Sequence, residues 1–170
     1  MAESGCLKDG HFQNLQVDGD TTINNLGYQL PVVSVTTATH APSVLQSGTI
    51  YALDRPAGIA ITLPAAKAGL VYEFHAVTTF TGTFQIDAAS DADTLQGLIQ
   101  MAPSALNDSD DNVENHGTSG PSAADHQYIA DADTKGRLLG SHLTYKCITD
   151  SIWHVSGNVI TTGVIATPFT

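Results

Sequence analysis

TYKCITDSIWHVSG, residues 144–157, alternates apolar and polar side chains on both sides of a short polar turn. Alternate residues of a β-strand face opposite sides of the sheet. On that rule Tyr145 and Cys147 share one face, while Thr144 and Lys146 share the other. After the polar turn Thr149-Asp150-Ser151 the alternation resumes, with Trp153 and Val155 on one face and Ile152 and His154 opposite. A period of two on both sides of a short turn predicts two paired strands. Trp153, the sole tryptophan, is the expected core anchor, because truncating a buried indole to Ala typically costs ~3–5 kcal/mol.

The same pattern extends outward. Leu143 joins the inward set with Tyr145 and Cys147, and His142 joins the outward set. In GIAITL, Ile59, Ile61 and Leu63 share a face against Ala60 and Thr62. Runs rich in β-branched and aromatic residues recur between turn residues. They predict strands at 32–39, 49–53, 59–63, 71–78, 83–88, 94–101, 126–129, 137–148 and 152–160. No amphipathic helix of ordinary length and no repeat of the solenoid or propeller type is evident. The fold expected is all-β: an antiparallel β-sandwich, jelly-roll-like, spanning residues 31–170, with Trp153, Tyr145, Leu143, Ile61, Leu63 and Phe74 in the core.

Two segments depart from this pattern. Residues 1–30 hold short β-prone pieces, Phe12 to Val17 and Thr21 to Leu26, around Asp18-Gly19-Asp20. Asp-Gly between extended runs is a hairpin signal, so an N-terminal arm or hairpin is expected. Residues 102–125, APSALNDSDDNVENHGTSGPSAAD, have no periodicity and read as one long polar loop.

Composition narrows the function. The chain has 170 residues, a net charge of -11 and six basic residues, Lys8, Arg55, Lys67, Lys135, Arg137 and Lys146, which are scattered. Nucleic acid is excluded as an expected partner, since phosphate binding needs clustered Lys and Arg. The segment MAESGCLKDGHFQ lacks a basic stretch followed by an apolar run, and no ~18-residue apolar stretch follows. Neither a signal peptide nor a membrane span is expected. Cys6 and Cys147 are far apart in sequence, so Cys147 reads as a small core hydrophobe and Cys6 as an incidental thiol.

Asp108-Ser109-Asp110-Asp111-Asn112 imitates the start of a calcium loop, but Val113 stands where the turn needs glycine and Ser119 where the bidentate acid belongs. A solvated acidic loop is the plainer reading. Asp87, Asp91 and Asp93 lie at the turn AASDAD (88–93), Asp87 just before it, where polar turn chemistry explains them. The seven histidines show no metal-ligand spacing, and His75, His142 and His154 are expected on outward strand faces. Neither a Gly-x-Ser-x-Gly elbow nor a phosphate loop occurs. No catalytic residue, no metal and no cofactor is therefore expected.

DGHFQNLQVDGDTTINN (9–25), GIAITLPAAKAGLVYEFHAV (58–77) and WHVSGNVITTG (153–163) carry a resemblance. They resemble segments of tailed-bacteriophage virion structural proteins, of the capsid decoration, or cement, type. The resemblance implies a non-enzymatic protein on the outer capsid surface of the virion. It further implies a homo-oligomer, a trimer, that binds the major capsid protein and stabilises contacts between its subunits. The rival is a tail-fibre or receptor-binding module, one that binds carbohydrate; an enzyme cleaving sugar or peptidoglycan would need a carboxylate pair in a cleft. The arm has apolar residues but is too short for a core, so Leu7, Phe12, Leu15, Val17, Ile23, Leu26 and Tyr28 are the expected partner-binding anchors.

Overall fold

The structure, a computed structural model, describes residues 30–104, 113–118 and 126–170. Among these residues eleven strands form two sheets: β1 (Val32–Val35), β2 (Thr39–His40), β3 (Thr49–Leu53), β4 (Ile59–Thr62), β5 (Val71–Ala76), β6 (Phe84–Asp87), β7 (Thr94–Pro103), β8 (Glu114–Thr118), β9 (Gln127–Ala130), β10 (His142–Thr149) and β11 (Ile152–Thr161). No α-helix occurs among the described residues; two three-residue 3-10 turns are the only helical pieces there. The chain is all-β, as its period-two alternation requires.

The pairing is mixed rather than the antiparallel pairing expected of a jelly roll. One sheet has seven strands in the order β1-β3-β5-β10-β11-β7-β8, and the other has four, β2-β4-β6-β9. β1, β3 and β5 run parallel, as do β2, β4 and β6. Parallel neighbours must be joined by a crossover. Here each crossover is a strand of the opposite sheet, so the chain winds from sheet to sheet in successive coils. Val32 stands beside Ile50 and Thr49 beside Tyr72, so one coil takes 18 residues and the next 23. Unequal coils leave no fixed period for a repeat to show. The second half then closes the sheets. β10 runs antiparallel to both β5 and β11, β11 pairs parallel with β7, and β9 runs antiparallel to β6.

Three expected elements need correction. The expected strand 32–39 is two strands in different sheets, because the chain turns a corner at Thr36-Thr37-Ala38, where all three residues are exposed. The expected strand 137–148 begins only at His142; a 3-10 turn and the left-handed Gly136 precede it. The expected loop 102–125 contains β8, which pairs antiparallel with the outer edge of β7. That strand is held by main-chain bonds at a sheet edge, so its polar sequence ENHGT gave no apolar alternation to read.

The inner faces of both sheets share one core. Trp153, Tyr145, Leu143, Ile61, Leu63 and Phe74 are all buried there, and Cys147 lies beside them. Aromatic contacts bind the layers: Tyr51 stacks on Phe74 at 5.3 Å, Tyr72 meets Trp153 at 5.9 Å, and His40 of β2 meets Tyr51 of β3 at 5.0 Å. The far edge of β9 is covered by the C-terminal residues, through a bridge from Tyr128 to Phe169 and hydrogen bonds between Gln127 and Thr170.

Candidate interaction face

Burying one face of the seven-stranded sheet leaves the other to solvent, and register dictates what that face carries. One row across the strands reads Ser34, Ala52, His75, His142, Asn158, Gln100 and Asn115. The next reads Val32, Ile50, Glu73, Thr144, Ser156, Leu98 and Gly117. A third, shorter row holds Val71, Lys146, His154 and Gln96. In these three rows Glu73 is the single carboxylate, although the chain holds 17 acidic residues. Apolar groups lie open on the same face, with Val32 66% and Leu98 54% exposed.

His75, His142 and His154 all lie in these rows, as their strand parity indicated. His75 and His142 are directly opposed on β5 and β10, and their rings stack at 5.4 Å with planes 12° apart. His75 Nε2 lies 3.4 Å from Glu73 Oε2. No group of three or more His, Cys, Asp or Glu placed to hold a metal ion occurs among the described residues.

The acidic turn divides its carboxylates among separate tasks. Asp93 is buried and accepts a hydrogen bond from the Ala66 N–H at 3.1 Å, which ties the β4–β5 loop to the start of β7. Asp87 accepts from the Gln85 side chain at 2.8 Å, and Asp91 lies 3.8 Å from His126. Three of the basic residues make local ties. Arg55 donates to the Gly58 carbonyl, Lys135 pairs with Asp131 at 3.0 Å, and Arg137 pairs with Asp133. The hydrogen bond from Lys135 holds the Asp131 carboxyl below its ordinary range.

Reactive groups in the interior are quenched by burial. Burial raises the Cys147 thiol, whose Sγ–H donates to the Thr149 carbonyl at 3.0 Å, so little of it is nucleophilic thiolate. Burial pushes the Tyr72 hydroxyl up to about 12, and Tyr51, Tyr128 and Tyr145 shift upward for the same reason. An open pocket of 480 Å³ lies where β7 and β11 end, lined by Thr79, Ala102, Pro103, Ser104, Leu138, Leu139 and Ile160. Its lining is mostly apolar, with hydroxyls only at Thr79 and Ser104 and no titratable side chain.

The expected arm anchors Leu7, Phe12, Leu15, Val17, Ile23, Leu26 and Tyr28 lie outside the described residues, as do Cys6 and Asp108 to Asn112. The sequence places these histidines outward by parity, but it does not show that the sheet face carries Glu73 as its single carboxylate in these rows. That property depends on which strands become neighbours, so only the order of the sheet reveals it. No helix among the described residues is long and apolar enough to cross a membrane. No family model, no curated protein and no solved structure matches the chain.

Proposed function

We propose that this chain is a non-enzymatic structural protein of a tailed-bacteriophage particle. Its role is that of a capsid decoration, or cement, protein bound as a homo-oligomer to the outside of the head. The observation that carries this reading is the near absence of carboxylates from the outer face of the seven-stranded sheet, in a chain of net charge -11. A face depleted of charge and bearing open apolar groups loses little solvation when another protein covers it, which is the composition of an interface core. The acidic remainder keeps the protein soluble and repels nucleic acid. Packing against neighbouring major capsid protein subunits would then stabilise their contacts through buried area alone.

The second reading, a tail-fibre or receptor-binding module, draws on the coiled first half. Coils that contact only their neighbours extend along an axis, as elongated proteins require. Incubating the protein with isolated heads and isolated tails of the encoding phage, followed by sedimentation and electron microscopy, separates the two. Density on heads that is lost in the variant Thr144→Glu/Ser156→Glu supports decoration through the sheet face. Binding to tails alone supports the fibre reading.

A further inference from the structure

Between Val35 and Pro42, both buried, every residue but one is exposed. The exception is His40, which is half-buried, so the segment 36–41 reaches the core through a single side chain. Its strand is short. β2 has two residues, lies at the outer edge of the smaller sheet and pairs with β4 at Thr39–Ala60 and His40–Ile61. The Ala60 N–H donates to the Ala38 carbonyl at 2.9 Å. The imidazole of His40 packs on Tyr51 with ring centroids 5.0 Å apart, and its Nε2 is buried with no hydrogen-bond partner. A neutral ring can hold that place at modest cost. An imidazolium carries N–H on both nitrogens, and a buried charged donor left unpaired costs more than a neutral one.

We infer that His40 is an acid-released latch: protonation drives its ring from the place against Tyr51 and frees the segment 36–41 from β4, while Val35 and Pro42 stay seated as the hinges. The surroundings offer nothing to hold the charge. Apart from His40, strands β1 to β4 carry one titratable group, the Tyr51 hydroxyl, which is neutral throughout the acid range. In the link 54–58, Asp54 is exposed one residue past β3, and Arg55 donates to the Gly58 carbonyl. On β6, the next strand beyond β4, Asp87 stands beside Thr62 and accepts from the Gln85 side chain. Burial accordingly holds the His40 imidazole below its ordinary value of 6.5. The freed ring takes up its proton at the ordinary value and the seated ring only at the lower one. Opening therefore grows as pH falls below 6.5 and levels off below the seated value. The inference does not depend on the proposed function.

Amide hydrogen exchange on the full chain reads the latch directly. The reporter is the Ala60 N–H, and the control is the Leu63 N–H, which donates to the Asp87 carbonyl on the other side of the β4 chain. Expressed as protection factors, Ala60 should lose up to ~10-fold per pH unit as pH falls below ~6.5, while Leu63 holds. In His40→Leu the Ala60 protection should stay level between pH 7 and 5. His40→Gln, a neutral polar side chain, should behave the same way, so the answer does not rest on how Leu packs. Level Ala60 protection in the unmodified chain would overturn the inference, and so would an equal decline in both variants. A decline shared by Leu63 would mean that the whole fold yields to acid, and would overturn it as well.

Discussion

At the residue scale, Trp153 shows how one side chain can fix a layer and leave a cost behind. Its ring is fully buried and packs on Tyr72, yet its Nε1–H has no hydrogen-bond partner among the described residues. Replacing it with Ala should lower unfolding free energy by ~3–5 kcal/mol. Phe should cost well under half of that, because it keeps the ring contact and removes a donor whose burial unpaired costs ~1–3 kcal/mol. Urea melts of the two variants check the order; equal losses would mean that the indole nitrogen has a partner. Gly97 makes the complementary case. Its φ is +145°, and a Cβ there would overlap the Val155 carbonyl oxygen on the paired strand β11. Gly97→Ala should therefore destabilise by at least ~1–3 kcal/mol through backbone strain, with the β7–β11 pairing displaced. The buried tyrosines add a pH dependence. Burial raises Tyr72 to about 12 and shifts Tyr51, Tyr128 and Tyr145 upward. Above ~10 the unfolded chain releases these protons while the native chain retains them, so stability must fall as pH rises from ~10 through the folded values. Thermal melts between pH 8 and 11 should be flat at first and then decline steeply, and Tyr72→Phe should blunt the decline.

At the element scale, what the sequence made legible was whatever depended on parity within a strand. Ile59, Ile61 and Leu63 on one face, and Leu143, Tyr145 and Cys147 on another, follow from alternation alone, and all six are buried. Parity does not say which strand lies alongside. The neighbour of β3 is β5, not the adjacent β4, because each strand is separated from its partner by a visit to the other sheet. The links 54–58 and 63–70, which lead from one sheet to the other, carry no local signal that marks them as crossovers. The hairpin at Thr149-Asp150-Ser151 was legible because its partners touch directly in sequence, and Cys147 does stand beside Trp153. The interaction face was illegible for the same reason that the topology was. His75 and His142 are 67 positions apart and become neighbours only through the β5–β10 register. A face with one carboxylate in three rows is a property of seven strands at once. β8 shows the remaining limit, since a polar edge strand is specified by the backbone it meets.

At the scale of the whole molecule, the distribution of charge decides how the protein would hold to a particle. A net charge of -11 makes every copy repel every other copy. Attachment therefore has to come from the surface where that charge is absent. In the proposed assembly, copies associate as a cyclic oligomer and present the neutral sheet face to capsid subunits, so that several weak contacts act together. Light scattering at micromolar concentration should then give a multiple of the 17.8 kDa chain mass. Salt offers the sharper test. Raising ionic strength from ~0.1 to ~1 M shortens the screening length from ~10 to ~3 Å. Contacts made by ion pairs weaken under that change, whereas contacts made by buried neutral area persist, and the repulsion between acidic copies is relieved. Binding to heads should thus hold or tighten across the range in a sedimentation assay. Thr144→Glu/Ser156→Glu should abolish that behaviour by placing carboxylates in the centre of the face, without touching the buried rows beneath. Binding that falls steeply with salt in the unmodified protein would instead assign attachment to the acidic surface, and the neutral face would have no part in it.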